Sequence, residues 1–526
     1  MSDKISLRFY GDRPVRAIWD DENSKWWFSV LDIIAIFNAE EDYTKTRNYW
    51  KYLKTKMRKI DVKIITMLFA LSIYPCLCMA VSPFQSAIDS IAALEGGGTL
   101  VIPAGEYVTG TLRLKSGVNL HLEKDAMILG SINPYDYDGY VETADDVAGG
   151  VADKCSKPQF ALIVARDAHN ISITGEGTID GRGLDLALAI DSLHHIGERI
   201  DPNYNTRRMR PALRPKLLDF DSVDSLLIED VSLRSSASWG MSLSKCNNVL
   251  IKDIDFVNRA YWNNDGIDVA DCHHVVITGC DINSADDGIV LKSFDPEDGN
   301  EDIHISDCRI ASSANAVKMG TESFGGFRNI TIKNIKVRDT FRSAIALETV
   351  DGAVLENVDV DSITAVNTGN PFFIRLGHRR GVKPGSLSNV TIRNLSCDVP
   401  FGRPDSEYDL RGPDINTIHN PFPASITGIP GHLVKNIRLE NITVSYPGRG
   451  TKGMAYIGSY RYNAVPEQID AYPEFHMFGE LPAWGLFVRH VDGLSLDNVV
   501  MTVREPDYRP AMVASDDVHN LTGNIQ

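Results

Sequence analysis

Two acidic motifs lie about 21 residues apart: Asn263-Asn264-Asp265-Gly266-Ile267-Asp268 and Ser284-Ala285-Asp286-Asp287-Gly288-Ile289. If each motif sits on one coil of a repeating strand structure, the two stack roughly 4.8 Å apart along the sheet direction. Asp265, Asp286 and Asp287 then converge on one patch. Stacked carboxylates repel unless one keeps a proton or all face a ligand, so the arrangement predicts an acid/base site of the kind that cleaves a sugar bond. The competing reading is that Asp at a turn caps backbone amides, and it applies best to Asp268.

The elements that must position these acids are legible as a repeat. Short alternating strands, usually opened by Asn or Asp, recur as Asn248-Val249-Leu250-Ile251, His274-Val275-Val276-Ile277, Asp302-Ile303-His304-Ile305, Asn329-Ile330-Thr331-Ile332, Asn389-Val390-Thr391-Ile392 and Asn436-Ile437-Arg438-Leu439. Period-two alternation gives each strand an inner and an outer face, and Asn or Asp suits turns that need left-handed backbone angles. A spacing of roughly 23 to 28 residues fits one coil of a parallel β-helix. Longer gaps between Leu355 and Ile392 and between Ile392 and Leu439 predict loops that wall a cleft. An antiparallel sandwich is disfavoured because hairpin signals such as Asn-Gly are nearly absent.

At 526 residues the chain exceeds a typical compact domain, but a solenoid grows by adding coils. A net charge of -17 argues against nonspecific nucleic-acid binding by the main body. A polyanionic ligand would need local cations, and clusters occur at Arg207-Arg208-Met209-Arg210 and at Arg375, His378, Arg379 and Arg380. Ser82 to Leu94 reads as an amphipathic helix, followed by the Gly-rich Gly96-Gly97-Gly98 turn and a first strand, a layout that predicts a cap on the solenoid's open end.

The N-terminal region differs. Residues 1–56 carry Trp19, Trp26, Trp27 and Trp50 and fall outside the repeat. Through GDRPVRAIWDDENSKWWFSVLDIIAIF and NYWKYLKTKM they resemble the N-terminal domain of Bro-type phage antirepressors, which implies a small α+β appendage associated with DNA binding, or a gene fragment fused by accident. Residues 57–80 have a basic start at Met57-Arg58-Lys59, an apolar run from Ile64 to Met79 and a small residue at Ala80, the layout of a secretory signal peptide. The run is short for a membrane span. The expectation is an exported protein, periplasmic or extracellular, with no integral membrane span in its mature form and the functional domain at 81–526. Six cysteines follow the signal: Cys155, Cys246, Cys272, Cys280, Cys308 and Cys397. Disulfides are permitted, but strand and turn positions favour packing as small apolar groups. No Cys-x-x-Cys or His-x-x-x-His spacing suggests a metal site.

Beyond residue 95, GGGTLVIPAGEYVTGTLRLKSGVNLHLEKDAMILGS, NISITGEGTIDGRG and NNDGIDVADCHHVVITGCDINSADDGIVLKS, in that order, resemble glycoside hydrolase family 28, the polygalacturonases and their relatives. The resemblance covers about 440 residues. It implies an all-β right-handed parallel β-helix, inverting hydrolysis of an α-linked pectic polysaccharide or oligosaccharide, a monomer, and no cofactor. Carried over position by position, Asp286 is the general acid, while Asp265 and Asp287 hold and deprotonate water. Inverting sites generally separate acid and base by roughly 6.5 to 9.5 Å.

Two departures from the family pattern stand out. Asn315 occupies the histidine position of the Gly-His-Gly motif, and Ala346-Leu347-Glu348 replaces Arg-Ile-Lys. The cations that grip a galacturonate carboxylate are therefore lost, a change on the order of 2 to 5 kcal/mol in recognition unless replaced. Lys318 and Arg375 are candidate replacements; otherwise the sugar is neutral, as in a rhamnogalacturonan-type glycan. Asn263, Asn315, Lys318, Glu322, Glu348 and Arg375 make up the expected substrate-binding set. The segment from Tyr472 to Trp484 interrupts the repeat with aromatics and acids and predicts either a loop that closes one end of the cleft, favouring exo action, or a plug on the solenoid core. Two alternatives to hydrolysis remain: a polysaccharide lyase, with Lys292 or Lys318 as base, and a noncatalytic glycan-binding solenoid.

Overall fold

The computed structural model describes residues 5–10, 13–20, 25–28, 83–138, 140, 160–405, 422–456 and 465–526. The chain divides into two units, residues 1–78 and 79–526. In the first, Ile5–Tyr10, Arg13–Asp20 and Lys25–Phe28 form an antiparallel sheet, with Trp19 opposite Trp26 in register. The signal-like segment, the run Phe28 to Ala35 beyond its first residue, and Cys155 lie outside the described residues.

The second unit is a parallel β-helix. The strand pairings from Gly98–Ile102 to Met512–Thr522 are parallel, which rules out the antiparallel sandwich. The repeats read from the sequence are in register: Leu226, Val249, Val275, Ile303, Ile330, Val358, Val390, Ile437 and Leu494 form one column, each the ladder partner of the next. All are buried. No coil could bury these side chains alone; stacking removes them from water at about 25 cal/mol per Å² of apolar surface.

The opening Asn or Asp of each repeat has its physical reason in the turn. Asn248, Asp302, Asn329, Asn357, Asn389 and Asn436 have φ between 54° and 58°, a left-handed conformation these residues tolerate best after glycine. Their amides also stack: Asn357 Nδ2 donates to Asn329 Oδ1 at 3.2 Å, Asn389 to Asn357 at 3.2 Å and Asn436 to Asn389 at 3.0 Å.

Helix Pro83–Ala92 buries Phe84, Ala87, Ile88 and Ile91, the 3.6-residue stripe of an amphipathic helix. It is tied to the first coil by Gln85, which accepts from Arg113 N at 2.7 Å and donates to Arg113 O at 3.1 Å. A second helix, Gly183–His195, interrupts the coils and lies outside every repeat read from the sequence. Gly183 begins it where a Cβ would lie 2.0 Å from Ser236 O. The five described cysteines after the helix, Cys246, Cys272, Cys280, Cys308 and Cys397, are buried free thiols.

Candidate active site

Asp265 and Asp287 occupy the same turn on successive coils, followed in each case by a glycine. Gly266 N donates to Asp287 O at 2.9 Å, and Gly288 N donates to Asn315 O at 2.8 Å. A Cβ on Gly266 would sit 2.3 Å from Gly288 O, and one on Gly288 would sit 2.6 Å from Ala316 O. The Asp-Gly pairing thus lets adjacent turns close tightly, which brings the acids together.

One oxygen each from Asp265, Asp286 and Asp287 lies within 4.8 Å of the others. Asp265 and Asp287 are buried and Asp286 is partly exposed. The separation is shorter than the general expectation for an inverting site. It does suit one water shared by two carboxylates, since acceptors each about 2.75 Å from a water at a tetrahedral angle stand about 4.5 Å apart. In geometry the three oxygens could also surround a cation, but Lys292 and Lys318 already bring positive charge there.

The two buried ammonium groups set the electrostatics. Lys292 Nζ lies 3.0 Å from Asp268 Oδ1, 3.9 Å from Asp265 Oδ2 and 4.9 Å from the centre of the Trp239 ring. Lys318 Nζ lies 3.4 Å from Asp287 Oδ2, 3.7 Å from Glu348 Oε2 and 5.4 Å from the Tyr472 ring. Burial alone would lower both lysines, but the facing carboxylates outweigh it and hold them above their ordinary range. Both are therefore held protonated, which argues against either serving as the base of a lyase.

The carboxylates divide accordingly. Burial would raise Asp287, yet Lys318, Lys292 and Arg342 outweigh it and hold the carboxyl at about 2. Asn315 adds to this: its backbone N and its Nδ2 donate to Asp287 Oδ1 at 3.0 and 2.9 Å. Burial, with the charges of Asp268 and Asp286, pushes Asp265 well up. Burial likewise raises Asp268 to about 6 and Glu348 to about 8 against their lysine partners.

Of the residues expected to bind substrate, Asn315, Lys318 and Glu348 flank the acids. Asn263 is held from the side: its Oδ1 accepts from Arg210 and, at 3.0 Å, from Arg214. Glu322 is engaged by Arg379 and Arg380 at 3.4 and 3.3 Å. Arg375 is a correction. It is fully buried, its guanidinium donating to Gly428 O, Glu467 O and Gln468 O at 3.0, 2.9 and 2.9 Å. It stacks on Glu348 in the ladder but is spent on backbone carbonyls of the wall, so it does not reach a ligand over the acids.

Arg214 and Arg342 escaped the sequence reading. Arg214 belongs to the continuation of the Arg207–Arg210 run, which the motif-based reading cut short. Arg342 pairs with Glu474 and nothing local marks it. Glu474 belongs to the aromatic segment, whose Phe475, Phe478, Leu481 and Ala483 pack with Phe373, Phe422 and Phe487 in one buried cluster. Phe373 and Phe487 lie in the same outward strand column as Lys318 and Ala346. The segment therefore lies over the site-bearing sheet, with half-exposed Tyr472 above Lys318.

A parallel β-helix with a stacked acidic patch between buried cations defines a glycoside hydrolase of the solenoid class. Residues 98–351, just under half of the chain, match the model of "Glycosyl hydrolases family 28", and the β-helix is similar to that family over this stretch. It is 24% identical over 400 residues to a "Probable polygalacturonase" of Vitis vinifera, covering 70% of this chain and 72% of that one. Its fold is similar to the "Yersinia enterocolitica Family 28 Exopolygalacturonase" (TM-score 0.58, 17% identity, 84% of this chain and 74% of the other). It is also similar to a "hyperthermoactive Exopolygalacturonase from Thermotoga maritima" (TM-score 0.53, 20% identity, 80% and 87%).

Proposed function

We propose that this hydrolase cleaves α-glycosidic bonds of a pectic polysaccharide with inversion, acting from a chain end, and that it does so after export as a monomer. The observation that carries the reading is the electrostatic division of three carboxylates within 4.8 Å: Asp287 held ionised at about 2, Asp265 pushed up, and Asp286 the least buried. Asp287 takes the proton of a water that Asp265 helps to hold, and Asp286, facing the bound glycan, protonates the leaving oxygen. The water's oxygen bonds to the anomeric carbon as the glycosidic bond breaks, so the proton lost to Asp287 balances the one given by Asp286.

Support for the pectic substrate comes from the names of the relatives, and support for exo action from the Tyr472–Trp484 segment that lies over one end of the acids. Lys318 is the cation nearest Asp287, but it is buried and shared between Asp287 and Glu348, so a galacturonate carboxylate would have to be met by other groups. No helix among the described residues is long and apolar enough to cross a membrane. Residues 1–56 are proposed not to take part in the reaction.

Product analysis by chromatography and mass, on homogalacturonan, rhamnogalacturonan and oligosaccharides of each, tests the substrate. Galacturonate release supports the reading, and release of neutral sugar alone sinks the uronate assignment. Asp286→Asn should lower kcat by several orders of magnitude with the fold retained. The raised Asp265 favours a second reading in which it supplies the acid. In that case Asp265→Asn, and not Asp286→Asn, would abolish the basic limb of the pH-rate profile.

A further inference from the structure

Around the bend from the acids, the solenoid carries a cavity of about 450 Å³ that the proposed chemistry does not use. Asn283, Ala311 and Arg338 are ladder partners on three successive coils, so they form one column of its lining. Arg259, Asn367 and Asp405 line it as well. The wall is joined to the catalytic turn: Arg259 donates to Asn283 Oδ1 and to Ser284 O, both at 3.1 Å, and Ser284 Oγ donates to Asp286 O at 2.6 Å. Asn283 and Asp286 are three positions apart in the chain, at most about 10 Å.

The lining's charges are matched within it. Arg259 pairs with Asp405 at 2.9 Å and Arg338 with Asp339 at 3.2 Å. That leaves no surplus cation for a uronate carboxylate. Hydrogen-bonding capacity nevertheless remains. Asp405 is 8% exposed, and its Oδ2 has no hydrogen-bond partner among the described residues. The Arg338 side chain is 55% exposed and makes one hydrogen bond among the described residues, to Asp339, of the five its guanidinium can donate. The exposed Arg338 N–H donors, with the amides of Asn283 and Asn367 in the same lining, complement vicinal hydroxyls, each of which donates and accepts.

We propose that this cavity is a subsite for a neutral sugar branch of the glycan whose backbone lies over the acids. The proposal rests on the pectic reading above. A backbone running along the solenoid axis past Asp286 reaches this face only through a branch, because the column belongs to the strands before the bend and the acids follow it. Recognition is by hydrogen bonds to a ring with no net charge.

Calorimetry of the Asp286→Asn protein, which binds without turnover, tests this with two probes: a linear oligogalacturonate and the same oligogalacturonate carrying one neutral sugar branch. The branched probe should bind at least tenfold tighter, and adding Arg338→Ala should erase that advantage without changing affinity for the linear probe, which also reports that the fold is intact. Equal affinity for the two probes, or an advantage that survives both Arg338→Ala and Asn283→Ala, overturns the subsite while leaving the pectic reading in place. Binding of neither probe overturns the pectic reading and the subsite with it.

Discussion

Replacing Lys318 with Met removes the cation between Asp287 and Glu348 and exposes how the site holds its base ionised. At 3.4 Å and an effective dielectric constant near 20, the Lys318–Asp287 attraction is about 5 kcal/mol, equivalent to about 3.5 pKa units. Lys292 and Arg342 still favour the ionised form, so a rise of about 2 units for Asp287 is the reasonable expectation. Met fills much of the same volume, and Glu348, already raised to about 8, stays neutral once its partner is gone, so no unpaired buried charge is created. The sign follows directly. The base must be ionised, and raising its pKa from about 2 moves the acid limb of kcat/KM upward. The assay is kcat/KM against pH from 3 to 8 on an oligogalacturonate, with circular dichroism at each pH. An active Lys318→Met enzyme whose acid limb stays in place would refute both the base assignment and the role given to Lys318.

Other consequences are open to measurement. Glu348 carries a folded-state pKa of about 8, above its unfolded value, so the folded protein binds more protons than the unfolded chain between the two and stability falls as pH rises through that window. The Tm should therefore fall between pH 5 and pH 8, and the slope should flatten in Glu348→Gln; an unchanged slope would mean Glu348 is ionised in the fold. Arg375→Leu should cost about 2 to 4 kcal/mol of stability, because carbonyls of Gly428, Glu467 and Gln468 lose their donor, while KM for a linear substrate changes little. A KM effect without a loss in Tm would restore Arg375 to the ligand.

The architecture was legible because a solenoid writes its fold locally. Each coil repeats the same alternation, and the column from Leu226 to Leu494 is the repeat itself stacked in register. The Asn and Asp turn residues were readable for the same reason: a left-handed turn restricts which side chains can occupy it. Helix Gly183–His195 was not readable from the repeat, since it belongs to no coil of it.

Which acids share a patch follows from the repeat, because residues on equivalent turns of successive coils must be neighbours. The sequence also shows that the usual histidine and Arg-Ile-Lys group are replaced by Asn315 and Ala346-Leu347-Glu348. What each charge does depends on packing between distant segments. Arg375 and Lys318 are equally plausible cations on paper, yet one is spent on the backbone of a distant loop and the other stands between Asp287 and Glu348. Arg342, Glu474 and Tyr472 join the site from segments more than 100 residues apart. Side-chain direction and burial depend on which loop covers which coil, and that information is held in long-range packing and not in the period of the repeat.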